Sequence, residues 1–321
     1  MEKDKVKTDL WGNEIPPKEI SVNVYHDERE ITNDWLYHSF LFIPVQNEDN
    51  VLSSLNEARR KTGWKRELHF VELDNTETEN HLALEWIDLF AHSLFEKIYF
   101  HFFGVNYQNL DKTWWSKPQR DFKIYNRFFQ IGLYGAIKWF FLTMGFQKVS
   151  VQNIFSDKKS RKGEDRFHVQ PMEEIEMKSL LRGENIVFEH SEIIEIDSDH
   201  EKEGDYPSKS HFVQFVDLIM GTFSQILDNT SSSEGKCMVA DKCLSFALPT
   251  KLMQYNPNSR YYKKYAISFF PKQRLTKEQI LQNDIRSSVN QFYNERKMGY
   301  AIRNQWQLGI FASTTKHYDY G

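Results

Sequence analysis

Asp27, Glu67, Asp157 and Asp217 lie far apart along this chain, yet each ends a short apolar run with strand character or sits on the apolar face of a helix. Carboxylates so placed meet only if a fold gathers them. Gathered carboxylates bind hard divalent cations, and Mg²⁺ keeps waters and shares itself with substrate phosphates. Two such ions about 4 Å apart activate a water and stabilise the leaving oxygen of a phosphodiester. The chemistry expected of this set is metal-dependent phosphodiester hydrolysis, with two Mg²⁺ or Mn²⁺ ions as cofactor. Asp27 is the expected bridging ligand, and Glu67, Asp157 and Asp217 are the other ligands. Glu28 is a supporting or alternate ligand, and Asp197 and Asp199 of EIDSDH are further acids that equally suit a turn. His69, two residues after Glu67, falls on the same face of a strand and is suited to orienting that acid or moving a proton. His26 and His211 read as structural histidines.

The elements that position these residues alternate between strand and helix. SVNVYHDERE places Val22 and Val24 on one side of a strand that delivers Asp27 and Glu28 at its end, and WLYHSFLFIPV returns as a second strand. NEDNVLSSLNEARRKTG reads as a helix with Asn50 as N-cap and Gly63 as terminator, followed by RELHFVEL as a strand. HLALEWIDLFAHSLF is helical, and KIYFHFFGVN is a strand. One aromatic helix is expected over 122–146, kinked near Gly132 and Gly135, leading into the strand KVSVQNIFSD. NIVFEHSEIIEIDSDH reads as strand, and FVQFVDLIMGTFSQIL as a helix whose acid, Asp217, lies close to the buried face. Such burial is costly unless a cation or positive partner offsets it. Residues 230–236 read as a linker, and LTKEQILQNDIRSSVNQFYNERK as a last helix.

With 321 residues, 40% hydrophobic content and 15% aromatics, the chain has material for a sizeable α/β core. A formal net charge of −4 gives no global attraction to nucleic acid, so a polyanion must be held by metal or by local basic residues. Lys158, Lys159, Arg161, Lys162 and Arg166, just after Asp157, are the candidate phosphate contacts, and Trp114 and Trp115 beside Lys117 and Arg120 have the makings of a base-stacking surface. A charge run also solvates a surface, and large aromatics also fill cores. Cys237 and Cys243 match neither a disulfide framework nor a zinc site. A charged N-terminus without an apolar core, and no run long enough for a bilayer, lead us to expect a cytoplasmic protein without membrane contact.

In order along the chain, YHDERE, RELHF, FSDKKS, IDSDH and VQFVDLIMG resemble the successive motifs of the family catalogued as domain of unknown function 3800. In that family the first motif usually reads Asp-Glu-Ser-Gly, the second Glu-x-His, and the last is an apolar-Gln-apolar-Ala-Asp helix. Here Arg29-Glu30 replaces Ser-Gly, and Val216 stands where alanine is usual. The resemblance covers residues 22–227 and implies a ribonuclease H-like fold, a mixed β-sheet flanked by helices, with a metal-dependent nuclease-like site. Its motifs are compatible with defence against foreign nucleic acid or with mobile-element biology. The organisation expected is a charged tail over 1–20, the ribonuclease H-like domain over 21–228, and a linker with a C-terminal extension packing on the core over 229–321.

The expected partner is nucleic acid of unspecified type, with a homo-oligomer or a partner protein compatible with the sequence. Asp157-Lys158-Lys159 also fits a different nuclease pattern, Asp/Glu-x-Lys, but that pattern leaves the acids of the first strand and last helix unexplained. From another class, the chain reads as a catalytically silent interaction module that keeps the fold.

Overall fold

Two long strands with apolar residues on both faces start the sheet. β1 (Glu19–Thr32) and β2 (Trp35–Pro44) form an antiparallel hairpin, and every residue of β2 is buried, as expected of a strand covered on both sides. The computed structural model describes residues 18–32, 35–74, 76–107, 110, 112–114, 120–157, 170–202, 206–228, 231–246, 248 and 258–270. β3 (Tyr99–Asn106) pairs antiparallel with β2, while β4 (Lys148–Asp157) lies parallel on the other side of β1. β5 (Ile186–Phe188) and β6 (Ile193–Ile196) follow one another along the outer edge of β4, both parallel to it. β7 (Tyr265–Phe270) adds to β3 in parallel. The order β5-β4-β1-β2-β3-β7, with β2 alone reversed along that path, makes this a ribonuclease H-like mixed sheet extended by one strand.

Helices cover both faces. α3 (Arg120–Phe140) and α4 (Gln170–Leu181) pack over one face, against Val22, Val24, Phe40 and Ile154. On the other lie α1 (Glu48–Thr62), α2 (Glu77–Asp88), α5 (Pro207–Asp228) and α6 (Glu234–Ser245), around Tyr25, Phe155, Trp86 and Phe215. Among the described residues no helix is long and apolar enough to cross a membrane.

Several expectations need correction. α1 starts after Asn47, not Asn50, although Gly63 does end it, with φ of 76° and its N–H donating to Arg59 O at 2.8 Å. α3 ends at Phe140 and runs without interruption through Gly132. That glycine serves packing: a Cβ there would come within 2.8 Å of the Phe40 ring and 2.9 Å of the Phe103 ring. RELHFVEL is not a strand. No neighbouring strand pairs with it, and it runs as a connecting segment into a short 3₁₀ turn, Phe70–Glu72. The linker is shorter than expected, because α6 begins at Glu234 and packs on α2 and α5, with Ser233 Oγ donating to Leu73 O at 2.9 Å. The proposed last helix and the tail beyond it lie outside the described residues.

Phe70, which opens the 3₁₀ turn, lies directly over Gly221 of α5, where a Cβ would collide with its ring. Alanine favours a helix interior by about 1 kcal/mol over glycine, but overpacking costs about 1–3 kcal/mol. The Gly221→Ala variant is therefore expected to lower the urea midpoint despite its better helix propensity, and an unchanged or raised midpoint would show that Phe70 moves aside freely.

Candidate functional site: acids gathered on the α5 face

Along β1, side chains alternate between the faces, so Val22, Val24 and His26 point to α3, and Tyr25, Asp27 and Arg29 to α5. Tyr25 meets Phe212 at a ring separation of 4.7 Å, and Arg29 donates to Ser224 Oγ. Asp27, between them, faces the stretch of α5 that carries Asp217. Asp157 reaches the same face by a different route. Pairing of β4 with β1 shifts by one residue, from Val22–Val151 to Asn23–Asn153, with Gln152 as the extra residue of a bulge. Val149 and Val151 before the bulge face α3; after it Ile154 and Ser156 do so, and Phe155 and Asp157 turn to α5. A regular strand would have sent Asp157 to the opposite face. The last paired residues are His26 and Ser156, so Asp27 and Asp157 follow side by side.

Glu67, His69 and Asp217 form a chain of contacts beside them. His69 Nε2 lies 2.7 Å from Glu67 Oε1, and His69 Nδ1 lies 3.4 Å from Asp217 Oδ2. Asp217 Oδ2 also accepts from Phe70 N–H at 2.9 Å. The Asp217 hydrogen bond first, and the Glu67 one second, push the His69 pKa up to about 11, so the ring is an imidazolium at neutral pH. Burial pushes Glu67 up, but hydrogen bonds from His69 and Ser198 outweigh it and leave the carboxyl below its ordinary value. Asp157 is pushed up to about 6 by burial, against a Ser198 hydrogen bond and the His69 charge, with the charges of Asp217 and Glu67 adding to the rise.

Gln214, one helical turn before Asp217, clasps two connecting segments to α5. Its Oε1 accepts from Arg59 and from Leu68 N–H, the latter at 3.1 Å, while its Nε2 donates to Ser198 O and meets His200 Nδ1 at 3.2 Å. Arg59 in turn donates to Arg66 O at 2.7 Å and lies over the Trp86 ring, its pKa lowered to about 10 by burial. The segments bearing Glu67 and Ser198 are thus anchored to α5 through the one Gln214 side chain. Ser198, Gln214 and Arg59 were not singled out from the sequence. Ser198 sits between two acids in EIDSDH, and Gln214 is a polar residue amid the apolar run FVQFV, so both left a signal of composition.

Not every predicted residue joins the group. Glu28 points to the other face, where its Oε2 accepts from Tyr125 Oη at 2.7 Å. Asp197 and Asp199 form a turn: Asp197 Oδ1 accepts from Asp199 N–H at 3.1 Å, Asp199 Oδ1 from Glu201 N–H at 3.0 Å, and Lys202 Nζ lies 3.1 Å and 3.6 Å from the two carboxylates. They flank the site as a turn whose charge Lys202 partly offsets. Lys158, Lys159, Arg161, Lys162 and Arg166, like the Trp115 side chain, lie outside the described residues, as does that of Trp114. His211 is buried near Arg59, and burial lowers its pKa to about 3, so it carries no charge.

Among the described residues, no three His, Cys, Asp or Glu side chains form a ready-made cation cage. The donor set nevertheless suits a hard divalent ion. Asp157 is a half-buried carboxyl facing like charges, and Glu67 Oε1 is buried against His69. A cation among Asp27, Asp157 and Asp217 relieves that repulsion.

No family model matches the chain. No curated protein matches it either. Among solved structures it is similar to a chain of the PCNA:RNase HII complex from Archaeoglobus fulgidus, at 11% identity over 81% of this chain and 98% of that one, with a TM-score of 0.31. So slight a likeness bears no weight, and the ribonuclease H-like class stands on the strand order described above.

Removing Gln214 takes one acceptor from buried Arg59 and leaves Leu68 N–H and Ser198 O without that partner. Gln214→Leu is expected to cost about 2–4 kcal/mol in urea unfolding; a loss below about 1 kcal/mol would mean that the clasp is not structural. Because folding raises the His69 pKa from 6.5 to about 11, its stabilisation is complete below pH 6.5 and is lost as pH rises toward 11. The stability gap between wild type and His69→Gln should therefore be widest near pH 6 and narrow steadily by pH 10. A gap independent of pH would contradict the imidazolium.

Proposed function

We propose that this chain is a metal-dependent nuclease, a hydrolase of phosphodiester bonds in nucleic acid, with Mg²⁺ or Mn²⁺ held by Asp27, Asp157 and Asp217 and assisted by Glu67. The observation that carries the reading is the bulge at Gln152, which turns Asp157 onto the face and level of Asp27, opposite the helix that bears Asp217. The order of the motifs, with their resemblance to domain of unknown function 3800, supports it.

Each residue has a task in that reading. Asp27 and Asp157, side by side just past the last paired rung of β1 and β4, present oxygens on one level. Asp217 holds Phe70 N–H and His69 with Oδ2, which fixes the carboxyl's orientation. His69 holds Glu67, and the Ser198 hydroxyl, with one proton to give, favours the charged form of both Glu67 and Asp157. A divalent ion in this setting supplies positive charge for the phosphodiester and lowers the pKa of a water. His69, as an imidazolium, already balances part of the charge on Glu67 and Asp217, and that observation favours one second reading, a silent module whose acids are satisfied internally.

Cleavage of labelled single-stranded and duplex DNA, RNA and hybrid, with Mn²⁺, Mg²⁺ or chelator, separates the two. We expect metal-dependent cutting that Asp27→Asn lowers by about 10²-fold or more while the fold is kept. Metal affinity should fall about tenfold per pH unit below pH 6, where Asp157 takes up its proton. No cutting of any substrate, or full activity in Asp27→Asn, would favour the silent module.

A further inference from the structure

On the face of the sheet away from the acids, a buried polar chain runs across the strands at the level of the last β1–β4 pair. His26 Nδ1 lies 3.3 Å from Ser156 Oγ and 3.7 Å from Glu28 Oε2, and His26 Nε2 lies 3.1 Å from His38 Nδ1. Glu28 in turn accepts from Tyr125 Oη of α3 at 2.7 Å. His26, His38 and Ser156 have no exposed surface, and Glu28 is 9% exposed. Around them stand the rings of Phe40 and Phe129, 5.0 and 4.9 Å from His26. Polar groups are not placed in such surroundings without a partner or a use. The Glu28 carboxylate favours the His26 tautomer with its proton on Nδ1, which leaves Nε2 to accept from His38.

The position of this chain is informative. His26 and Ser156 are the last residues paired between β1 and β4, and the next residue on each strand is one of the two neighbouring acids. Among the described residues beyond that rung, β1 pairs only with β2, from Asp27–Ser39 on, and β4 with β6, at Asp157–Ile196. The side-chain bond from His26 to Ser156 therefore ties the strands together where their backbone ladder stops.

We propose that His26 and Ser156, braced by Glu28, Tyr125 and His38, are positioning residues that act through the sheet to fix the spacing of Asp27 and Asp157. The inference rests on the metal-site reading above. None of these side chains touches substrate or cation. Each hydrogen bond on the α3 face holds the backbone from which a carboxylate projects on the α5 face. Outer groups that orient metal ligands are typically worth about 10–100-fold in metal affinity.

The test is Mn²⁺ titration calorimetry on the full chain, beside thermal unfolding and the separation of kcat from KM on whichever nucleic acid the wild type cleaves. Ser156→Ala removes one hydroxyl and little volume, so it is expected to melt near the wild type while binding Mn²⁺ about tenfold more weakly. Its kcat should fall with KM for nucleic acid unchanged. His26→Gln, which retains a hydrogen-bonding end, should lie between Ser156→Ala and His26→Phe. Phe129→Leu loosens the same pocket without touching the polar chain and should keep wild-type Mn²⁺ affinity. Wild-type affinity in Ser156→Ala and His26→Phe, or an equal loss in Phe129→Leu, overturns the positioning role while leaving the metal site standing. Absence of Mn²⁺ binding in the wild type instead overturns the metal-site reading, and this inference with it.

Discussion

In a parallel pair of strands, each residue's face is fixed by counting, and an extra residue reverses the count for everything after it. The bulge at Gln152 is that reversal in β4. Before it, the strand buries Val149 and Val151 under α3 and α4; after it, Ile154 takes over that face while Phe155 stacks on Tyr25 under α5. Both cores are thereby filled, and the register is locked by apolar burial on either side. Asp157 follows the same count, so its meeting with the α5 face is enforced by the packing of four residues that have no chemistry of their own.

The site is built with groups that serve both structure and charge. Asp217 accepts from the Phe70 N–H, thereby securing the start of a 3₁₀ turn, and also faces His69. Gln214 accepts from a buried guanidinium and holds two chain segments at once. Arg59, Gln214 and Ser198 anchor the connecting segments by hydrogen bonds, although no strand ladder reaches Glu67. A carboxylate on such a segment is held to a narrow range of positions, as metal ligation demands.

How much of this was legible in the sequence differs from element to element, and for physical reasons. β1 announces its faces because Val22 and Val24 alternate with polar neighbours, and β2 and β3 because their apolar runs are long and rich in aromatics. The helix of Asp217 is equally plain from its apolar spacing. The bulge in KVSVQNIFSD leaves no such mark: Gln152 and Asn153 read as ordinary polar positions, and only the β1 pairing shows which of them is extra. RELHFVEL looks like a strand because Leu68 and Phe70 are apolar, but they are buried by α5 and by Gly221, not by a sheet neighbour. Glu28 shares its motif with Asp27, and alternation alone sends it to the opposite face. The place of β7 next to β3 depends on contacts made across a hundred and more residues, which no local pattern encodes.

The central claim is that a divalent cation binds where Asp27 and Asp157 stand side by side beneath Asp217. Anomalous diffraction at the manganese edge, from crystals grown with Mn²⁺, addresses it most directly. The account predicts an anomalous peak within ligand distance of oxygens from Asp27, Asp157 and Asp217. A peak elsewhere, or none at these carboxylates with Mn²⁺ in excess at neutral pH, would contradict it.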